Sequence, residues 1–516
     1  MSKILSAYRK AIIDEIVTSI SSNVSSYYAV AVNPVDVSEP NPEVANNIYD
    51  TQFNVNWTTL FGKKLTSGDI VPVISKSIWT TNTVYTRYDN TVNDLSNFYA
   101  ISANSIAGGD LYVYKCIDNA SGAVSTVDPK TIGTPTQPST FQTSDNYKWR
   151  YIGKISSKNY TDFSTNDFAP IYPDYSIVST AANYSGVEVV VIANAGSGYA
   201  TYHTGNVQST PNTTVIQIED SASQDDEFYT NNSIYIYNND SSSSQLFGVS
   251  KYDANSSGKF VYLDAVANLT VITSPFTNYL ISPKVVFNSD GGSEPKAYAT
   301  INTTANSINS IVMLDIGSNI SWANVVIQSN TSYGSGANLY AIIPPPGGHG
   351  SDPSTEIGVS GIGMRFNFAN NQGGTIVTSN VVFNKVAIIK NPHTIYANGA
   401  KGSTLYTSNL FSSIVKANVS PSFTFTKGSI ITGTTSGSKG IVAFSNSTTV
   451  FIAGDKTFQA GESLANSSGV VLTAISNLNT NGDVYTKDLN PLYVKNINNL
   501  NRLDTQTEAF KLIIEI

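Results

Sequence analysis

Apolar runs in this chain stop at the length of a β strand. Val189 to Ala193 is typical, and turns containing Gly, Asn and Ser separate such runs. A short apolar run bounded by turn residues reads as a strand rather than a helix. The polar positions point the same way. Asp, Glu, Lys and Arg make up 13% of the residues, about half the usual share, and Ser, Thr, Asn, Gly and Tyr take their place, as strands and turns favour. A mainly β protein is therefore expected. At 516 residues the chain exceeds the roughly 250 to 300 at which one core stops growing, so two or more domains are expected.

The formal charge of -8 and the lack of a Lys/Arg cluster give no footprint for nucleic acid. Cys116 is the only cysteine, so no intramolecular disulfide can form, which fits assembly inside a reducing cell. Lys3, Arg9, Lys10, Asp14 and Glu15 interrupt the apolar residues of Met1 to Ile20. That segment reads as neither signal peptide nor membrane span, and a soluble protein is expected.

Little in the sequence is equipped for catalysis. His203, His349 and His393 lie far apart and none is spaced with Cys or His as a zinc site or triad would need. His349 has glycine on both sides of its turn, which predicts an exposed ring. Asp225-Asp226-Glu227 lacks the alternation and glycine of a calcium loop and reads as a solvated acidic turn. Gly433 to Gly440 lacks the Gly-Lys-Ser/Thr ending of a phosphate loop. The scattered carboxylates suggest no facing pair for glycoside hydrolysis. No enzyme, metal or cofactor is expected. The 30 tyrosines suit cross-strand packing first, and a carbohydrate platform or interface second.

Along the chain, Ile4, Leu5, Tyr8, Ile12, Ile16 and Ile20 predict an amphipathic first helix. Tyr27 to Val32 predicts a strand ended by Asn33-Pro34, and Ile48 to Phe61 reads equally as helix or strand. Further strands are expected over Asp69 to Ile74, Thr83 to Arg87, Phe98 to Ile101, Leu111 to Ile117 and Tyr147 to Ile155. Between about 176 and 370 the chain turns Ser/Asn/Thr-rich. Two divergent strand-turn units, Val187 to Tyr199 and Ile308 to Ile320, punctuate it with glycine. The loop Pro344, Pro345, Pro346, Gly347, Gly348, His349, Gly350, Ser351, Asp352, Pro353 is the strongest punctuation in the chain. Prolines extend the backbone and glycines turn it, which suits a partner-contact loop. Phe425 to Val470 spaces its glycines as a small β barrel or sandwich would.

An ordered series of blocks carries a family resemblance. Ile78-Trp79-Thr80-Thr81-Asn82-Thr83-Val84-Tyr85 with Tyr88-Asp89-Asn90 is followed by Asn97-Phe98-Tyr99 and by Val113-Tyr114-Lys115-Cys116-Ile117-Asp118-Asn119. Then come Ser144-Asp145-Asn146-Tyr147-Lys148-Trp149-Arg150-Tyr151-Ile152 and Val382 to Pro392. The tail adds Gly482-Asp483-Val484-Tyr485-Thr486 and Asp504 to Ile516. This series resembles the T4-type phage baseplate wedge proteins of the gene product 8 family, and Pro346 to Pro353 is similar to a stretch in their cyanophage members. Asn146 stands where the family more often has glycine, and it tolerates the same left-handed turn.

The resemblance implies a β-sandwich scaffold built from N- and C-terminal segments, a homodimer, and other baseplate wedge proteins as partners; the charge and the short apolar runs add the expectation of no nucleic acid and no membrane. It implies residence in the virion tail baseplate after assembly in the host cytoplasm, and a mechanical role during tail contraction. The expected organisation is scaffold over 1 to 175, an inserted β-rich region over 176 to 370, scaffold over 371 to 419, a small inserted β region over 420 to 478, and scaffold strands over 479 to 516. The inserts and the Pro344 to Pro353 loop would face partners. The alternative is a receptor-binding or tailspike-like adhesin that recognises host surface polysaccharide through the 176 to 370 region.

Overall fold

The computed structural model describes residues 6–22, 25–32, 48–90, 92, 96–102, 109–131, 140–172, 186–238, 243–272, 277–290, 292–328, 333–345, 347–369, 381–503 and 506–516. They form a mainly β protein of antiparallel sheets with an N-terminal helix, Ser6–Ser21. The chain divides into two compact units. One comprises 1–74, 158–170 and 359–516, and the other 75–157 and 171–358.

In the first unit, a five-stranded sheet runs in the order Leu410–Ser412, Thr59–Lys64, Tyr27–Val32, Val382–Lys390, Asn490–Asn501. A four-stranded sheet runs Thr507–Glu515, Gly361–Ala369, Ile70–Ser75, Phe168–Pro170. Phenylalanines close the space between the two. Phe61 and Phe383 of the first sheet meet Phe368 of the second edge to face, at centroid distances of 5.1 and 6.2 Å, and Phe510 lies 5.7 Å from Phe368. Such contacts stabilise beyond their buried area. The apolar tail is the edge strand of the second sheet, paired with Gly361–Ala369 along its whole length, and Phe510, Leu512, Ile513 and Ile514 on it are half-buried rather than core. Gly361 is required there, because a Cβ would stand 2.2 Å from the Ile514 carbonyl.

The ambiguous stretch from Ile48 turns out to be two elements with no turn between them, the helix Ile48–Thr58 and the strand Thr59–Lys64. The hydroxyls of Thr58 and Thr59 donate to the Asn54 and Val55 carbonyls at 2.6 Å each, satisfying acceptors that the end of a helix leaves open. Val55 on this helix packs into the cluster that contains Tyr28, Val30 and Val32 of the neighbouring strand.

Six strands between Val415 and Thr480 close a barrel, with Val415, Ala417, Val442, Val450, Ile452 and Leu464 inside. Its turn Thr434 to Ser438 is held by one buried carboxylate. Glu462 accepts from the Thr435, Ser436 and Gln459 amides at 3.1, 2.9 and 2.6 Å and from the Ser436 hydroxyl at 3.0 Å. Glu462→Ala takes the acceptor from three amides of exposed or half-buried residues, and thermal melting should show a loss of about 1 to 3 kcal/mol, with Glu462→Gln losing less.

In the second unit, Tyr99–Ser102, Leu111–Asn119, Tyr147–Ile155 and Phe141–Gln142 make a four-stranded sheet. A ten-stranded sheet spans Ser209–Asn212 to Ser307–Asp315, and Val189–Ser197 pairs with Ser335–Ile342. Many tyrosines are packing residues. Tyr147 stacks on Trp149 at 5.5 Å, and Tyr235 on Tyr298 at 4.6 Å. The Asp145 to Tyr147 turn is left-handed at Asn146, φ 66°.

One expected strand is absent. Thr83 to Arg87 forms a single bridge, Thr83 to Ser125, and no ladder. Side chains take the ladder's place. The Tyr85 amide donates to the Tyr147 hydroxyl at 3.3 Å, and Asn119 Nδ2 donates to the Tyr85 carbonyl at 3.1 Å. Satisfied backbone groups need no neighbouring strand.

Candidate functional site

The Pro344 to Pro353 loop turns inward. Gly347, Gly348 and Gly350 adopt φ of 84°, 82° and 78°, conformations open to glycine, and fold the loop back on itself. Of its described residues only Gly347 is exposed; Pro344, Gly348, His349, Gly350 and Pro353 are buried, and Pro345 and Asp352 are half-buried. Pro346 lies outside the described residues. The expected exposure of His349 is thus corrected, since its side chain has no contact with solvent. Asp352 caps the short helix Pro353–Ile357, accepting from the Thr355 amide at 3.2 Å.

His349 sits at the centre of a buried ionic network. Nε2 faces Glu188 Oε2 at 2.8 Å, and Nδ1 contacts Glu356 Oε1. Glu356 also accepts from Lys115 Nζ at 2.9 Å and from the Gly350 amide at 2.7 Å. Glu188 pairs with Arg150 Nη1 at 3.0 Å. The Lys115 ammonium lies 3.1 Å from the centroid of the Tyr88 ring, whose edge meets the His349 ring at 5.8 Å.

The electrostatics follow from burial and pairing. Burial alone would raise the Glu356 carboxyl, but Lys115, His349 and the Gly350 amide outweigh it and hold the carboxyl well below the ordinary glutamate range. Glu188 shows the same balance, with burial opposed by His349, Arg150 and Lys115. Burial depresses Lys115, and Glu356 only partly restores it. Burial also raises Tyr88, so its hydroxyl remains neutral. The charges are fixed against one another, and both ring nitrogens of His349 are engaged. Chemically, this arrangement clamps a loop.

A cleft of about 580 Å³ reaches the edge of the network, lined by Arg150 and Glu188 together with Gln142, Lys148, Asp315 and Gly317. The other histidines stand apart. His203 Nδ1 bonds the Tyr279 hydroxyl at 2.9 Å and its ring stacks on Tyr279, and His393 lies in the strand His393–Ile395. Asp226 accepts from the Ala254 amide of the strand Ser244–Asn255 at 2.6 Å, and Glu227 accepts from the Thr230 hydroxyl of its own turn. Among the described residues no group of His, Cys, Asp and Glu is placed to hold a metal ion, and no helix is long and apolar enough to cross a membrane.

Sequence reasoning found His349 but missed its partners, which lie up to 241 positions apart along the chain, the Lys115 to Glu356 separation. A signal was present. Lys115 interrupts Val113-Tyr114 and Cys116-Ile117, Arg150 interrupts Trp149 and Tyr151, and Glu188 interrupts Val187 and Val189. A charge inside an apolar strand run must find a buried partner. No protein-family model matches this chain, and no curated protein matches it either.

Proposed function

We propose that this chain is a structural subunit of a contractile-tail phage baseplate wedge, of the kind the gene product 8 family provides. The observation that carries this reading is where the resembling blocks fall. Tyr88, Lys115, Arg150 and His349 come from four separate blocks of the resemblance, and all four enter one buried network. Residues shared in this way preserve shape, which matters most in a part that works through its contacts. Such a subunit holds neighbouring wedge proteins and a second copy of itself in register, and passes on rearrangement through contacts that differ between the two baseplate states.

The test is location in the virion. Antibody raised against residues 176 to 370 should place gold at the baseplate body of intact particles. Gold at fibre or spike tips would overturn the wedge reading in favour of an adhesin.

A further inference from the structure

A second cleft, of about 450 Å³, lies in the first unit beside the helix Ile48–Thr58 and shares no lining residue with the cleft beside Arg150 and Glu188. Phe53 and Trp57, one turn apart on that helix, present near-parallel rings, 20° between planes with centroids 6.2 Å apart. Phe53 is 67% exposed, an unusual position for a large apolar ring with none of the described residues covering it. The opposite wall comes from the barrel. Asp455 accepts from the Lys439 amide at 2.9 Å and pairs with Lys487 Nζ at 3.2 Å.

Three polar groups around this apolar floor have no partner among the described residues. Asn56 donates through Nδ2 to the Lys487 carbonyl at 3.1 Å, yet its Oδ1 is buried without a donor. Trp57 Nε1 has no acceptor, and Lys439 Nζ has no carboxylate. Gly454 keeps the approach to the indole open, since a Cβ there would stand 3.2 Å from Nε1. The complement is a ring with an apolar face, hydroxyls that both donate and accept, and one negative charge.

We infer that this cleft binds an acidic sugar residue, a hexuronate, with its ring face on Phe53 and Trp57, its hydroxyls on Asn56 Oδ1 and Trp57 Nε1, and its carboxylate on Lys439. Apolar floor and polar rim together favour a sugar over a purely aromatic acid, which would leave Asn56 Oδ1 without a donor. The inference is independent of the wedge reading and survives or fails separately.

The test is titration of the full chain with galacturonate and glucuronate, as monomers and as trimers, and with galactotriose as the neutral control, followed by calorimetry and tryptophan fluorescence. Saturable binding of a uronate is expected, with the neutral trimer at least about tenfold weaker, since a charge-assisted contact is lost. A trimer about tenfold tighter than its monomer would identify a polysaccharide as the source, and equal binding a free sugar acid. Phe53→Ala and Lys439→Gln, both at exposed side chains whose loss leaves the fold intact, should each weaken binding about tenfold or more. Trp57→Phe should remove the fluorescence change. Absence of saturable uronate binding, or binding that neither Phe53→Ala nor Lys439→Gln affects, would overturn the proposal. So would tighter binding of acetyl-Glu-Trp-amide, which would assign the cleft to an acidic polypeptide.

Discussion

Glu356→Ala should lower the stability of the second unit by about 3 to 5 kcal/mol, the usual cost of removing one partner from a buried charge pair. Glu356 sits on the His349 clamp and accepts from Lys115 Nζ and the Gly350 amide. Its loss leaves the Lys115 ammonium in a buried site without its hydrogen-bonded carboxylate, with the Tyr88 ring in contact and Glu188 acting through space, and leaves His349 Nδ1 without its carboxylate partner. The readout is hydrogen exchange along Leu111–Asn119, the strand that carries Lys115, because it reports opening of that sheet by itself. Lys115→Met combined with Glu356→Gln should recover much of the loss, because removing both charges leaves neither stranded. If Glu356→Ala alone exchanges no faster than the native chain, the clamp carries little of the stability.

Acid should mimic the substitution. Glu356 has a folded value held below its ordinary 4.5. The unfolded chain therefore binds the proton first, and the contribution is complete above that ordinary value and fades as pH falls toward the folded one. The gap in exchange rate between the native chain and Glu356→Gln should be constant near neutrality and shrink in acid.

Local chemistry made much of the fold legible in the sequence. Tyr27–Val32 and Tyr147–Ile155 begin and end where their alternation and flanking turns predict, and the mainly β class follows from the polar residues chosen. Legibility failed wherever a residue's role depends on distant chain. Tyr85 reads as part of a strand, but its backbone is satisfied by Tyr147 and Asn119, which no local pattern reveals. The glycines around His349 predict exposure. Their positive φ values instead fold the loop inward, and the bare Gly350 amide reaches Glu356 Oε2. Glycine signals conformational freedom, and the same freedom serves an exposed tip or a buried return. The clamp was half visible, as charges breaking apolar runs at 115, 150 and 188, while the pairing among them is a property of the folded chain alone.

Lys456 gives the second large effect, with the opposite sign. Its side chain is buried in the first unit, and its Nζ donates to the Ser413 carbonyl with no carboxylate in contact. Burial pushes the ammonium down from 10.5 to about 7, with Asp455 opposing only weakly. Below about pH 7 both folded and unfolded chains hold the proton, and the folded chain bears the full cost of a buried charge. Between about 7 and 10.5 the unfolded chain holds a proton that the folded chain has released, so stability rises with pH across that window. The shift corresponds to at most about 5 kcal/mol. Lys456→Met removes that cost but leaves the Ser413 carbonyl without its donor, a loss of about 1 to 3 kcal/mol. The variant should therefore be more stable than the native chain by about 2 to 3 kcal/mol at pH 6.5, since the first term exceeds the second. Near pH 10.5 the native amine is neutral and still donates to Ser413, so the ordering should reverse by about 1 kcal/mol or more. Other groups that titrate in this range do so in both proteins and cancel in the difference. Paired thermal melts at several pH values from about 6.5 to 10.5 measure it. A difference that stays constant with pH would mean that Lys456 remains charged in the fold and that some further acceptor solvates it.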